Sequence, residues 1–421
     1  MASEVAALPQ VTTEVPQRFR MLRIEQSERE ERLRRVRTQL EARGFAGMTL
    51  FNPIRIDYLS GFSHVSTERP MALVVPVAGE VGVLIPHLEQ EHVAKAPLID
   101  RIKVYPEYPG GGSGKHPLQH FAELLEELGL KGRGKRLATD TDGYIDLNGY
   151  VGPALSQVLD GTEVVEAREI VDKLRQVKSP AELALTRESA KWGNLAHRLM
   201  QDKMAVGRTE IEVTLAAMGE AVPLMLKTLG ATYGSGGRGL RSAPCSCGFI
   251  AGSNTALPHG MRREGGLRPG DCIITGAGAN VGGYQSELER TMIVGEPTPE
   301  FRRYFDAMIV VQNAGFAALR PGRTCAEAEA DVTRAIEEQG YRSLQRHHTG
   351  HGLGLEGHEQ PFIDLDDPTV LEPGMVLSVE PGLYVPGLGG FRHSDTVIIT
   401  EDGCELATYY PRDLESLIVP A

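Results

Sequence analysis

The chain has 421 residues, of which 41% are hydrophobic and 24% charged, and its formal net charge is −12. This length allows two buried cores, and the composition is that of a globular protein. An acidic chain repels phosphate backbones, and no apolar stretch approaches the roughly 18 residues of a membrane span, so neither nucleic acid nor a membrane is expected as a partner. The five cysteines are too few for a disulfide framework, and no secretory signal is visible, which predicts a cytoplasmic protein.

The N-terminal part of the chain mixes strand and helix patterns. Residues 1–20 show no periodicity and predict a flexible lead-in. Helical spacing of apolar residues predicts a helix over about 22–43, and further helical patterns cover 86–95 and 117–129. Short apolar runs predict strands at 48–51, 71–75, 81–85 and 102–105. Strands mixed with helices over residues 21–167 predict a small α/β domain.

A second domain is predicted over residues 168–421. Ser179, Pro180 and Glu182 have the types expected at the N-cap, first and third positions of a helix, so a helix should begin there. The rest of the domain alternates helices with strands, with helices over 208–228 and 299–340 and strands over 231–295 and 375–400. Helices beside antiparallel strands predict an α+β domain.

Ionisable side chains concentrate in four Gly- and Pro-rich segments of this second domain. Glycine permits close backbone approach, which is typical of pocket walls. Glu287 and Glu289 are two residues apart, so a strand would direct both carboxylates to one face. Clustered carboxylates raise one another's pKa, which suits acid–base chemistry or cation binding. The candidate residues of the four segments are His259, Glu287, Glu289, His351, His358, Glu359, Glu380, Arg392, His393 and Asp395.

These segments resemble the pita-bread family, which includes methionine aminopeptidase, X-Pro aminopeptidase, prolidase and creatinase. GHGLGLEGHEQP (residues 350–361) and VEPGLY (379–384) carry the resemblance, and RLRRVRTQLEARGFAGMTLFNPIRIDYLSGF (32–62) is similar to the family's creatinase-type N-terminal domain. The resemblance implies an α+β pita-bread catalytic domain preceded by a smaller α/β domain. It also implies a homodimer.

The resemblance implies only part of a metal site. The family's metallopeptidases use five ligands, and at those positions this chain has Gly276, Glu287, His351, Glu380 and Ser394. Gly276 offers no ligand, and Ser394 is a poor substitute for a bridging carboxylate, so a pair of ions is not expected. The expectation is therefore no cofactor, with a single ion such as Mn²⁺ or Zn²⁺ left open on Glu287, His351 and Glu380.

The pocket pattern is most similar to creatinase, the family's metal-free enzyme, and to ectoine hydrolase. Glu289 and Glu380 match creatinase glutamates, and His259 matches its catalytic histidine. Arg69 matches an arginine that binds the substrate carboxylate across the dimer interface. The resemblance thus implies hydrolysis of a C–N bond in a small amidine or amide. The implied catalytic residues are His259, Glu289, Glu380 and His351, and the implied substrate-binding residues are His358, Arg69, Arg392 and Glu359.

Two other functions are left open by the same residues. One is a metal-dependent X-Pro dipeptidase with a reduced single-ion site, which is supported by the retained residues His259, His351, His358, Glu359 and Glu380. The other is a non-catalytic interaction module, because the fold also serves as a binding platform. The pocket histidines and glutamates argue against the module, since a scaffold does not need them. The expected partner is therefore a small-molecule or dipeptide substrate.

Overall fold

The structure is a computed structural model that describes residues 22–106, 114–144, 150, 152–230 and 244–421. The chain forms two compact units. The first spans Ile24–Arg175, and the second holds the described residues from 176 to the C-terminus. The units divide between Arg175 and Gln176, somewhat after the domain boundary predicted at residue 167. The predicted lead-in at 1–20 lies outside the described residues.

The first unit is built on a six-stranded mixed sheet with the order β4-β3-β2-β1-β5-β6. Its strands are β1 (Gly47–Leu50), β2 (Ala72–Pro76), β3 (Gly82–Pro86), β4 (Arg101–Tyr105), β5 (Arg136–Thr139) and β6 (Glu163–Glu166). Its helices are α1 (Gln26–Ala42), α2 (Pro53–Ser60), α3 (Gln90–Val93), α4 (Pro117–Glu127), α5 (Leu155–Val158) and α6 (Glu169–Gln176). The three strands β1, β2 and β3 are buried along their whole length, which explains why they appear as continuous apolar runs.

The second unit begins with long helices whose starts are set by local hydrogen bonds. Ser179 Oγ accepts a hydrogen bond from Glu182 N (3.2 Å), and a Glu182 carboxylate oxygen accepts one from Ser179 N (2.7 Å). This reciprocal cap, with Pro180 in the first helical position, confirms the predicted helix start. The helices are α7 (Pro180–Lys203), α8 (Glu210–Leu229), α9 (Pro299–Ala318) and α10 (Cys325–Glu338).

The strands of the second unit form a large, mostly antiparallel sheet and a separate hairpin. The path through the large sheet is β13-β12-β14-β17-β10-β8-β11-β19, with β18 paired to β17 and both β7 and β9 paired to β8. The hairpin consists of β15 and β16. The strands are β7 (Cys245–Ala251), β8 (Cys272–Val281), β9 (Tyr284–Gln285), β10 (Leu288–Glu289), β11 (Thr291–Val294), β12 (Gly350–Gly352), β13 (Glu359–Ile363), β14 (Val376–Val379), β15 (Gly382–Val385), β16 (Gly389–Arg392), β17 (Ser394–Ile399), β18 (Cys404–Leu406) and β19 (Ile418–Val419).

The short strand β10 brings the polar segments together at the middle of this sheet. Leu288 pairs with Ala277 of β8 on one side and with Asp395 of β17 on the other. Glu289 pairs with Ser394. Leu288 is fully buried, so the residues on either side of it point to the opposite face of the sheet. This register places Glu287 and Glu289 on the face that carries the candidate site.

Candidate functional site

Three carboxylates meet on the open face of the large sheet. Oxygen atoms of Glu287, Glu289 and Glu380 all lie within 4.8 Å of one another, and we call these three residues the carboxylate cluster. Glu287 and Glu289 flank the buried Leu288, and Glu380 directly follows β14. The prediction that Glu287 and Glu289 share one space is therefore confirmed by their geometry.

His351, on β12, contacts the carboxylate cluster through one ring nitrogen. Its Nδ1 lies 3.1 Å from the carbonyl oxygen of Gly352, which can only accept, so Nδ1 carries a proton. Its Nε2 lies 3.3 Å from Glu380 Oε1 and 3.8 Å from Glu287 Oε2, without a well-aligned hydrogen bond. A lone pair on Nε2 would repel both carboxylates. The arrangement therefore suits a protonated imidazole or a cation held between these groups.

Burial and mutual repulsion shift the protonation of these groups. Burial, together with the charges of Glu380 and Glu289, raises the pKa of Glu287 to about 7. Burial also raises the pKa of Glu289, although Arg392 opposes this effect. For Glu380, burial is outweighed by His351 and Arg392, and its pKa is lowered. Burial opposes protonation of His351, but Glu380 and Glu287 outweigh it and raise the pKa of the imidazole.

Arg392 is the cation that neutralises Glu289. Its Nη2 donates a hydrogen bond to Glu289 Oε1 (2.8 Å), and its Nε lies 2.5 Å from Glu289 Oε2. Nε is also 3.8 Å from Glu380 Oε2. Arg392 was predicted to bind substrate, and its guanidinium does face the cluster. Its charge is, however, already engaged by Glu289, and the two side chains expose only 10% and 15% of their surface.

A chain of hydrogen bonds holds Arg392 from behind. His347 Nδ1 lies 2.8 Å from the carbonyl of His348, so Nδ1 donates and the neutral ring accepts at Nε2. Tyr384 Oη must then donate to His347 Nε2 (2.8 Å), which leaves its lone pairs to accept from Arg392 Nη1 (3.0 Å). Burial lowers the pKa of His347, which favours this neutral form. The sequence did not indicate this role for His347 or Tyr384.

Arg290 connects β10 and β17, the two strands next to the carboxylate cluster. This role of Arg290 was not predicted from the sequence. All five of its N–H groups are bonded: Nη2 donates to Asp395 Oδ1 (2.8 Å), and the others donate to main-chain carbonyls, two of them on Glu289 and Ser394. Asp395, one of the candidate residues of the four segments, pairs with Arg290 and not with Arg392, because side chains alternate across strand β17.

The two family ligand positions that lack carboxylates behave differently in the structure. Within the described part of the chain, a Cβ placed on Gly276 would meet only Glu289 Oε1, at 3.9 Å. Ser394 Oγ donates a hydrogen bond to Glu287 Oε1 (2.7 Å) and so stabilises this carboxylate. A two-metal centre needs several bridging carboxylates, and Glu289 is already held by Arg392, so the residues present do not fit a pair of ions. Glu287 and Glu380 each place an oxygen within 4 Å of His351 Nε2, and this donor set fits one divalent ion.

The other predicted site residues are spread more widely. The ring of His358 stacks on His351, with the centroids 3.7 Å apart, and burial together with His351 lowers its pKa. His259 is exposed. Arg69 belongs to the first unit, where it forms an ion pair with the neighbouring Glu68. The substrate-binding roles of His358 and Arg69 and the catalytic role of His259 stay predictions.

Glu359 and His393 point away from the cluster into the protein interior. Glu359 Oε1 accepts a hydrogen bond from Lys178 Nζ (2.7 Å), and both side chains are almost fully buried. A buried ion pair is a structural contact, so the geometry does not support substrate binding by Glu359. His393 is fully buried beside Phe305, and burial lowers its pKa far below the usual range.

Comparison with known proteins identifies the family. Residues 184–401 match metallopeptidase family M24, and residues 32–177 match the creatinase/prolidase N-terminal domain. The chain belongs to metallopeptidase family M24. This confirms the resemblance to the pita-bread family, and with it the α+β catalytic domain and the smaller creatinase-type domain that precedes it.

Relatives within family M24 cover nearly the whole chain. The uncharacterized peptidase YqhT of Bacillus subtilis is 30% identical over 91% of this chain and 98% of its own length. The Xaa-Pro dipeptidase of Pyrococcus furiosus is 27% identical over 91% of this chain and 99% of its own. Among solved structures, an Xaa-Pro dipeptidase from Bacillus anthracis superposes with a TM-score of 0.76 at 28% identity, covering 93% of this chain and 99% of that one.

Membership of family M24 tests several of the predictions made from the sequence. The chain is an enzyme that hydrolyses C–N bonds, which supports the predicted hydrolase over the interaction module. The family does not support the expectation of a protein without any cofactor, whereas one divalent ion is compatible with the donor set. Within the described residues, no helix has the length and apolar character needed to cross a membrane.

Proposed function

We propose that this M24 enzyme hydrolyses a C–N bond of a small amidine or amide whose cationic nitrogen group binds the carboxylate cluster. The observation that carries the proposal is the charge balance of the cluster. Arg392 balances one of the three carboxylates, and a protonated His351 balances a second. An unbalanced carboxylate in a buried site favours a ligand cation. A planar amidinium suits it because its N–H groups form charge-assisted hydrogen bonds with carboxylate oxygens.

In the proposed reaction, water attacks the amidine or amide carbon, the C–N bond breaks, and the leaving nitrogen receives a proton. A group with a pKa near the working pH transfers protons most effectively. Glu287 meets this condition, since its pKa is about 7. His259 is proposed as the group that carries the proton between water and the leaving nitrogen. Glu289 and Glu380 orient the substrate cation, with Glu289 fixed by Arg392, and ionised Glu287 supplies the negative charge that Arg392 and His351 leave unbalanced.

A second candidate is an X-Pro dipeptidase that works with a single ion. Two observations favour it: the unbonded Nε2 of His351 between two carboxylates, and relatives that are named as dipeptidases. Glu287, His351 and Glu380, whose donor atoms meet at His351 Nε2, would hold the ion. A bound divalent ion supplies Lewis-acid polarisation of the scissile carbonyl. Dipeptide substrates would replace the small amidine in this case.

The experiment that separates the two candidates is a hydrolysis screen on the full-length protein. The protein is stripped with chelator and assayed with and without Mn²⁺ or Zn²⁺, against amidines similar to creatine and ectoine and against X-Pro dipeptides. The proposal expects amidine or amide hydrolysis that survives chelation. Cleavage of X-Pro dipeptides that chelator abolishes and metal restores would replace it with the second candidate.

We also propose that the protein is located in the cytoplasm and forms a homodimer. All five cysteines are free, and four of them are buried, which fits a reducing compartment. The dimer is suggested by the pita-bread family and by the assignment of Arg69 to a neighbouring subunit's pocket. Light scattering coupled to size-exclusion chromatography tests it: a molar mass of one chain would remove the dimer from the proposal.

A further inference from the structure

A cavity of about 630 Å³ opens directly beside the carboxylate cluster. Glu287, Glu289 and Arg392 line one end of it. Ligand sites in proteins typically measure about 300–1,000 Å³, so this volume is sufficient for much more than an amidinium group. The proposed function fills only the charged end and leaves the rest of the cavity without an assigned role.

Apolar side chains line part of the cavity away from the charged end, beside polar ones that include Arg262 and Gln285. Ile250 of β7 lines one side, and Leu353, which follows β12, lines another part. Met261 also lines the cavity and is 79% exposed, which places it where the cavity meets solvent. A ligand that enters past Met261 therefore meets apolar side chains before it reaches the carboxylates.

Two glycines of β8 lie along this cavity, but only one leaves space in it. A Cβ on Gly278 would lie 2.2 Å from the carbonyl oxygen of Ser286, so the backbone approach there requires glycine. Among the residues that the structure describes, a Cβ on Gly276 would meet only Glu289 Oε1, at 3.9 Å. Gly276 is thus not required by packing. Any side chain at this position would extend into the junction between the apolar walls and Glu289.

We propose that the space left by Gly276 connects the apolar part of the cavity to the carboxylate cluster. The substrate then carries an apolar body, at least as large as an aromatic ring, next to its cationic nitrogen group. The inference rests on the proposed function, because it takes the binding of that group by the cluster as given. The absence of a side chain at Gly276 then has two effects: it removes a metal ligand, and it makes room for the apolar body.

Two amidines that differ by one ring test the inference on the full-length protein. Acetamidine and benzamidine present the same cation, and benzamidine adds a phenyl group. Their dissociation constants are measured by isothermal titration calorimetry. We expect benzamidine to bind about 10- to 100-fold more tightly, the range given by burying one aromatic ring. Gly276→Val should reduce this advantage to about threefold or less by filling the junction, and Gly276→Ala should have an intermediate effect.

The outcomes separate this inference from the proposed function. Equal binding of the two amidines to the natural protein would overturn the apolar body and leave the cationic group standing. A benzamidine advantage that persists in Gly276→Val would overturn the role of Gly276. Binding of neither amidine would overturn the proposed function itself. If Gly276→Val does not fold, Gly276→Ala and para-substituted benzamidines of increasing size measure the same junction.

Discussion

Arg290 and Arg392 both pair with a carboxylate in the second unit, yet their surroundings differ in how completely the charges are satisfied. Arg290 and Asp395 are fully buried, and every N–H of the arginine has an acceptor. Arg392 pairs with Glu289 at the edge of a cavity, beside two further carboxylates. We call the Arg290–Asp395 pair closed, because every charge and every N–H group in it is satisfied. The carboxylate cluster beside Arg392 retains negative charge.

The difference shows how one sheet can hold both a scaffold and a binding site. A fully satisfied buried network fixes backbone positions, because any movement leaves a charge unpaired. Arg290 bonds the carbonyls of Glu289 and Ser394, so it fixes the two strands that carry the site. The three carboxylates of the cluster are then held close together despite their repulsion. Repulsion of this kind is tolerated in a site that binds a cation.

The largest expected effect comes from breaking the closed pair. Arg290→Met leaves Asp395 buried without its cation, which should lower the free energy of unfolding by about 3–5 kcal/mol. Trp192 is the only tryptophan in the sequence and lies on α7, so its fluorescence during urea denaturation reports on the second unit. The double variant Arg290→Met/Asp395→Leu should lose less than the single one. A loss below about 1 kcal/mol in Arg290→Met would contradict the scaffold role.

The Lys178–Glu359 pair is a second closed pair, and it contains a residue that was predicted to bind substrate. Lys178→Met should destabilise the second unit by about 2–4 kcal/mol, since it leaves Glu359 buried without its cation. Glu359→Gln should cost less, because the amide still accepts a hydrogen bond from Lys178. Urea denaturation measures both. If Glu359→Gln leaves the stability unchanged but greatly raises KM, Glu359 binds substrate as the sequence predicted.

Breaking the Arg392–Glu289 pair should affect activity more than stability. Arg392→Met leaves Glu289 without its cation, raises the pKa of Glu289 further, and should lower kcat/KM by about 100-fold on a substrate found in the hydrolysis screen. Arg392→Lys keeps the charge but cannot make two contacts with one carboxylate, so it should recover only part of the activity. Equal stability losses in Arg392→Met and Arg290→Met would show that the two arginines do not differ in role.

The smallest effect concerns His393, between Arg392 and Ser394. Among the described residues, neither ring nitrogen has a well-aligned hydrogen-bond partner, and burial, opposed only in part by the main chain of Thr291, holds its pKa far below the usual range. The unfolded chain therefore binds a proton below about pH 6.5 that the folded chain cannot bind, and stability falls as the pH is lowered. His393→Leu should remove this dependence and stabilise the protein by about 1–2 kcal/mol more at pH 5 than at pH 8.

His197 is the matched control for the His393 variant. It is also fully buried with a lowered pKa, but its Nε2 lies 2.7 Å from Thr275 Oγ1. His197→Leu should lose this hydrogen bond and destabilise the protein at pH 8. If His393→Leu is as destabilising as His197→Leu at pH 8, His393 has a partner that the described geometry does not account for.

The sequence predicted features that depend on neighbours close along the chain. The cap at Ser179 follows from residues three apart, and the buried strands of the first unit follow from continuous apolar runs. The shared face of Glu287 and Glu289 follows from strand alternation. The family itself followed from motifs whose residues lie within a few positions of each other.

The parts that could not be predicted depend on partners far apart in the chain. Glu359 looks like a site residue because it follows His358, but its partner Lys178 is 181 positions away. Arg290 resembles an ordinary strand charge until the carbonyls of Tyr410 and Pro411 are placed beside it. Tyr384 is visible in the VEPGLY motif, yet its role depends on the tautomer of His347. Tertiary contacts of this kind leave no periodic signal in the sequence.

The central claim is that the carboxylate cluster, with Gly276, Ser394 and the engaged Glu289, cannot hold the metal pair expected of family M24. Metal stoichiometry tests it most directly. The full-length protein is stripped with chelator, dialysed against Mn²⁺, Co²⁺ or Zn²⁺, freed of excess ion and measured by mass spectrometry. The account predicts at most one ion per chain, bound through His351 and lost in His351→Ala. Two ions per chain, retained after removal of the excess, would contradict it.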